Sequence, residues 1–312
     1  MIESKRLQKC YEDISTTSFN NVVEDVKVDH SLLKHFDCDF CPDKIKRYMA
    51  KCNKCLRVTV EGHNIQFYFY YYNVCPVLLT KIYMSVKQAV AVKQYFNINK
   101  SLQINVVLSP YKRFIPVKNC IAPEHINGGY TSTSGGNIFV IRSEEYSKVM
   151  IHEIIHHVEN INKNSFNLDN INELKNVFNI SEKTNLIPNE AIVELWATLL
   201  NCAFISFEFK VPMKNLLELE TQYGIMQSNK ILKKQDDKAW EEMSNAYCYI
   251  IFKTILLYNL RAFAEGYTFP YDTLYLTKFL IDHKKLPSVA KYSKMFSNIR
   301  GKRSLRMMML SD

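Results

Sequence analysis

Residues 149–158 read VMIHEIIHHV, placing His152 and His156 four positions apart with Glu153 directly after the first. On an α-helix that spacing puts both imidazoles on one face. They can then offer two nitrogens to a single Zn²⁺, with Glu153 beside the position left for water. Ile151, Ile154, Ile155 and Val158 surround the motif with apolar residues, the pattern of a buried helix, in which two imidazoles without a partner would be costly. His157 is a rival ligand, but the next residue along a helix points about 100° away, so it reads as structural.

A catalytic zinc needs a third protein ligand and an open position. Residues 188–197 read PNEAIVELWA, with Glu190 and Glu194 four apart on a second predicted helix. Two unpaired carboxylates in so apolar a segment would be expensive. An HExxH helix followed by a helix bearing NExxxE resembles the gluzincins, the metallopeptidase group that includes thermolysin and anthrax lethal factor. The resemblance covers about fifty of the 312 residues, and its longer gap between the motifs is nearer the lethal-factor arrangement. It implies a zincin-like fold, one catalytic zinc held by His152, His156 and Glu190, and Glu194 as hydrogen-bond partner of a zinc-bound histidine, His152, fixing its tautomer.

The chemistry expected of such a site is peptide hydrolysis, with Glu153 as general base towards water and later as proton donor to the leaving amine. Related enzymes recruit a further oxyanion donor from a downstream helix or loop. Tyr247 and Tyr249 are the candidates here, with His283 a third, although in a chain of 19 tyrosines core packing is the alternative for each. In zincins the strand before the active helix forms a sheet edge that pairs with an extended substrate. The segment 128–141 occupies that place, with Gly129, Tyr130 and Thr131 as the edge residues and small side chains that let a backbone approach. A surface hairpin loop is the alternative.

Cys38, Cys41, Cys52 and Cys55 form two CxxC pairs separated by ten residues. Paired knuckles of this kind suit a closed tetrahedral Cys₄ site, a second and structural zinc that would stabilise the N-terminal region and do no chemistry. Ordinary reduced thiols are the other reading.

The elements that must position these residues follow from local patterns. Residues 1–37 have no clear period. Leu56 to Thr59, a turn at Glu61 to Asn64, and the aromatic run Ile65 to Tyr72 predict a β-hairpin. Lys81 to Tyr95 predicts a helix, and Gln103 to Leu108 and Asn137 to Ile141 predict strands. The active helix is expected from an N-cap at Ser143, with Glu144 and Glu145 in its first turn, to about Asn160. A helix from Pro188 to Leu200 and a long buried helix from Asp237 to Ala264, closed by Gly266, complete the core. The fold class expected is α+β: a zincin-like arrangement of small mixed sheet, active-site helix and helical C-terminal half. Its division is 1–72, with the cysteines and hairpin, and 73–312, the metallopeptidase domain.

The bulk numbers agree with a folded enzyme: 47% hydrophobic and 23% charged residues exclude the profile of a disordered chain. The N-terminus shows no apolar run after its basic residues, and no uncharged apolar stretch is long enough to span a membrane. Nine cysteines, an odd count, favour reduced thiols and an intracellular setting. Frequent Asn, Lys, Ile and Tyr point to an AT-rich genome such as those of some large DNA viruses and parasites, and a viral protein would work in the host-cell cytoplasm. The net charge of +9 is spread along the chain, so nucleic acid stays open as a partner beside a protein or peptide substrate. The substrate would be cut by an endopeptidase or a carboxypeptidase. Two alternatives stand beside this. One is a DNA-associated protease resembling the Spartan proteases, which complete their zinc site with a third histidine where this chain has NExxxE. The other is a noncatalytic zinc-containing nucleic-acid or protein-binding factor, against which an intact Glu153 argues.

Overall fold

The computed structural model describes residues 4–14, 23–28, 41–60, 62–118, 120–132, 135–159, 161, 166–268 and 272–310. The chain forms two compact units, Ile2–Arg113 with Asn127–Val158 and Phe114–Ile126 with Glu159–Leu310. It is an α+β protein with a small mixed sheet.

The first unit holds the sheet. In chain order it contains α1 (Ser4–Asp13), β1 (Val23–Val26), α2 (Asp43–Met49), β2 (Lys54–Thr59), β3 (Ile65–Tyr71), α3 (Leu79–Tyr95), β4 (Leu102–Val107), β5 (Gly129–Thr131), β6 (Asn137–Val140) and α4 (Tyr146–Ile155). The strand order is β1-β2-β3-β4-β6-β5. β3, β4 and β6 run parallel, and β1, β2 and β5 are antiparallel to their neighbours. The hairpin expected between residues 56 and 72 is β2–β3, turned through Gly62 and Asn64 at positive φ. Because β3 pairs with β4, the expected boundary after residue 72 falls inside one sheet, and the hairpin is not a separate module.

Period-two alternation sends Phe67 and Phe69 of β3 to one face, where Phe69 meets Tyr146 of α4 edge-on at 6.4 Å. α4 packs on α3 and against β5 and β6, so nearly all of its residues are buried. It starts later than Ser143 because Glu145 adopts a left-handed conformation, φ 60°, while the Ser143 hydroxyl donates to the Ser109 carbonyl instead of capping. Glu144 and Glu145 do not sit in a first turn. Both are ion-paired with the wholly buried Arg113, and the Glu144 carboxylate also accepts from the Arg113 N–H at 2.7 Å. The helix ends at Ile155, short of Asn160, where the N–H groups of His157 and Val158 fold back on Ile154 and Ile155.

The second unit is helical: α5 (Leu168–Val177), α6 (Asn189–Phe209), α7 (Met213–Gln235), a π-helical turn (Tyr247–Phe252), α8 (Lys253–Tyr258), α9 (Leu260–Gly266), α10 (Thr273–Asp282) and α11 (Ser293–Arg300). α6 outruns the expected Leu200 by nine residues. By length and composition alone it could cross a membrane, but 72% of its most apolar window is buried inside the protein, as expected of a core helix. The single helix expected from Asp237 to Ala264 is broken. Trp240 exchanges backbone hydrogen bonds with Asn179 and Ser181, and the Met243 N–H is bound by the Ile121 carbonyl. The Glu242 carboxylate then accepts from the N–H groups of Ala246 and Tyr247, capping the π-helical turn. Asn259, at φ −105° and ψ 28°, ends α8.

Candidate metal centre

α4 carries His152 and His156 on one face, with ring centroids 5.0 Å apart and their Nε2 atoms separated by 3.2 Å. His152 is buried and His156 half-buried. Two lone-pair-bearing nitrogens so close either share one proton or converge on one cation. Glu153 is 5% exposed. Its Oε1 lies 3.1 Å from where a Cβ on Gly129 would stand, so the backbone of the edge strand runs directly past the carboxylate. Only glycine allows this, since the same Cβ would lie 2.7 Å from the Phe139 carbonyl oxygen.

Glu190 lies in the first turn of α6, directly after the Pro188 N-cap and Asn189. Its side chain is half-buried. Two imidazole nitrogens and one carboxylate oxygen are the donor set of a catalytic zinc and leave a fourth position open. Glu194, one turn further along α6, is fully buried, and its backbone carbonyl accepts from the Thr198 hydroxyl.

Gly129, Tyr130 and Thr131 form β5, the outermost strand of the sheet beside β6. The strand immediately before α4, β6, is interior; the edge is the strand preceding that one. Thr131 is tied to the strand and to the helix, its Oγ1 donating to the Asn137 carbonyl at 3.0 Å and lying 2.7 Å from Nε2 of His157. His157 therefore faces the sheet, and burial pushes its imidazole down to about 4. Its role is to hold β5 against α4.

The oxyanion candidates separate. Tyr247 is 1% exposed, with its ring packed on Phe178, Trp240 and Phe252. Its hydroxyl lies 3.4 Å from both the Phe178 carbonyl and Gln235 Oε1, which makes it a core residue and not a donor to substrate. Tyr249 is half-buried on the same π-helical turn, its N–H bound to the Asn245 carbonyl. His283 stacks on Phe279 at 4.0 Å and lies with Nδ1 3.0 Å from the Phe279 carbonyl, closing the end of α10.

Of the four cysteines, Cys38 lies outside the described residues. Cys41, Cys52 and Cys55 are buried in an apolar cluster with Ile45, Met49, Tyr70 and Phe139. Cys41 Sγ is 4.0 Å from Met49 Sδ, and the Cys52 thiol points to the Tyr48 carbonyl. Burial pushes both the Cys52 and Cys55 thiols up to about 12, so in this environment they are neutral packing groups. Arg113, which anchors the start of α4, and the Thr131–His157 contact had no local signal, because each joins segments far apart in the chain.

Comparison with protein families, with curated proteins and with solved structures finds no match to this chain.

Proposed function

We propose that this protein is a zinc-dependent peptidase with a zincin-like fold, acting on a protein or peptide. The observation that carries the reading is the pair of imidazoles on one helix face, with the Nε2 atoms of His152 and His156 3.2 Å apart, beside a glutamate in direct reach of an edge strand. His152, His156 and Glu190 would hold the metal. When bound, zinc supplies a Lewis acid that brings the pKa of water towards neutrality and polarises a carbonyl.

The chain's own residues do the rest. Glu153 accepts the proton from the attacking water and delivers it to the departing amine. Backbone groups of Gly129, Tyr130 and Thr131 pair with an extended substrate and carry its scissile carbonyl past Glu153. Glu194 orients His152, and Tyr249 donates to the developing oxyanion.

Metal analysis of the purified protein is expected to find zinc that is lost in His152→Ala. A peptide library is expected to be cut by the wild type, while Glu153→Gln keeps its metal and loses about 10²–10⁴ in kcat. Cleavage by Glu153→Gln at the wild-type rate would remove the proposed base. Salt-dependent DNA binding with no cleavage by either protein would favour the noncatalytic reading.

A further inference from the structure

Between β3 and α3, residues 72–79 read YNVCPVLL. Val and Leu are ordinarily buried, yet Val74 is 77% exposed, Leu78 69%, and Tyr72 and Leu79 46% each. The run is continuous in sequence and carries no charge, which makes it a patch and not a scatter of single apolar residues. Its base is firmly held. Asn73 takes a left-handed backbone, φ 57°; its N–H donates to Asn53 Oδ1 at 2.9 Å, and its Oδ1 accepts from Asn53 Nδ2 at 3.0 Å. The Tyr72 N–H lies 3.4 Å from the Tyr48 hydroxyl, and the Val74 N–H donates to the Tyr72 carbonyl at 2.7 Å. Leu78 then stands at the N-cap of α3 with no side-chain hydrogen bond, where a short polar residue would serve the helix better.

Positive charge surrounds this loop. Lys54 pairs with Tyr71 at the end of β3, Arg47 and Lys51 neighbour the Tyr48 and Asn53 that hold the loop's base, and Lys81 lies in the first turn of α3. All four are exposed. Residues 44–123 contain thirteen Lys and Arg and one acid, Glu61. The described neighbours add Glu24, which is ion-paired with Arg57, Asp25 on β1 and Asp43 in the first turn of α2, so the cations outnumber the carboxylates. An apolar tip with lysines around its base matches an anionic bilayer: the apolar side chains enter the acyl boundary while the ammonium groups meet the headgroups. Tyrosine, here at the start of the loop, favours the headgroup level. A protein partner fits less well, since protein interfaces are depleted in lysine.

We propose that the loop between β3 and α3 docks the protein on an anionic membrane surface, with Val74, Leu78 and Leu79 inserted and Arg47, Lys51, Lys54 and Lys81 on the lipid headgroups. The attachment is peripheral: a short loop enters one leaflet and nothing crosses the bilayer.

The test is flotation of the full-length protein with vesicles of phosphatidylcholine alone and of phosphatidylcholine mixed with phosphatidylserine. Binding to the anionic vesicles is expected to be about tenfold tighter or more, and to weaken as salt is added. Val74→Ser and Leu78→Ser change exposed side chains, and serine is favoured at an N-cap, so the double variant is expected to keep the wild-type Tm while its binding falls about tenfold or more. Lys51→Glu with Lys54→Glu is expected to abolish the preference for phosphatidylserine. No binding to anionic vesicles, equal binding to both kinds, or undiminished binding by the serine double variant would overturn the assignment. So would lipid-free dimerisation that the serine changes abolish, which would give the loop to a second copy of the chain.

Discussion

At Gly129 the edge strand passes Glu153 with no side chain between them, and the cost of adding one can be read from the distances. A Cβ there would stand 2.7 Å from a backbone oxygen and 3.1 Å from the Glu153 carboxylate, so Gly129→Ala must displace either the strand or that carboxylate. Displacements of this kind cost about a hundredfold in rate. In the proposed peptidase, Gly129→Ala is expected to lose that much in kcat/KM with its zinc content unchanged, as peptide kinetics and metal analysis will show. A second residue has a thermodynamic signature. Burial raises the Glu242 carboxyl from 4.5 to about 7, against the hydrogen bonds it accepts from Tyr247, Ser244 and Ala246. The folded state therefore binds this proton more tightly than the unfolded chain. The resulting stability is complete below about pH 4.5 and is lost as pH rises to 7, on the order of 3 kcal/mol. Glu242→Gln is expected to flatten the fall in Tm between pH 5 and 7; parallel curves would contradict it. The helix face shared by His152 and His156, and the helical spacing of Glu190 and Glu194, were legible because spacing along a helix is a local property of sequence. The burial of Tyr247 was not, since its neighbours Phe178 and Trp240 come from elsewhere in the chain.

Among the elements, β2, β3, β4, β6 and α3 match their expected spans to within two residues, because each carries an uninterrupted apolar period with a turn at its end. The HExxH helix was misjudged at both ends, and at its start the reason is electrostatic. Arg113 draws Glu144 and Glu145 out of the helical register, and Glu145 takes a left-handed backbone that costs a non-glycine residue about 1–2 kcal/mol. This buried cluster fixes where α4 begins. Arg113→Met would leave two carboxylates without their cation, and a loss of about 3–5 kcal/mol is expected in urea denaturation. A loss below 1 kcal/mol would mean that the carboxylates find other partners. The long helix expected from Asp237 failed for the same kind of reason: Trp240 and Glu242 spend their backbone and side-chain groups on Asn179, Ser181 and the first N–H groups of the π-helical turn.

For the whole chain, the order of expected strands and helices gave the α+β class, but the division into two units was hidden from it. Residues 114–126 belong with the helical unit although they lie between strands of the sheet, and no composition change marks either crossing. A metal bound only by the folded protein stabilises it by RT ln(1 + [M]/Kd), about 2.7 kcal/mol at a hundredfold excess over Kd. For the proposed zinc site, a chelator is expected to lower Tm and added zinc to restore the value, while His152→Ala should respond to neither treatment.

One consequence of β5 concerns what the protein must avoid. An open sheet border is a template on which another copy can polymerise, and the hazard grows with its length. Here that border is three residues long and begins with glycine. It is long enough to align a short stretch of a visiting chain, and too short to seed a ribbon of identical molecules.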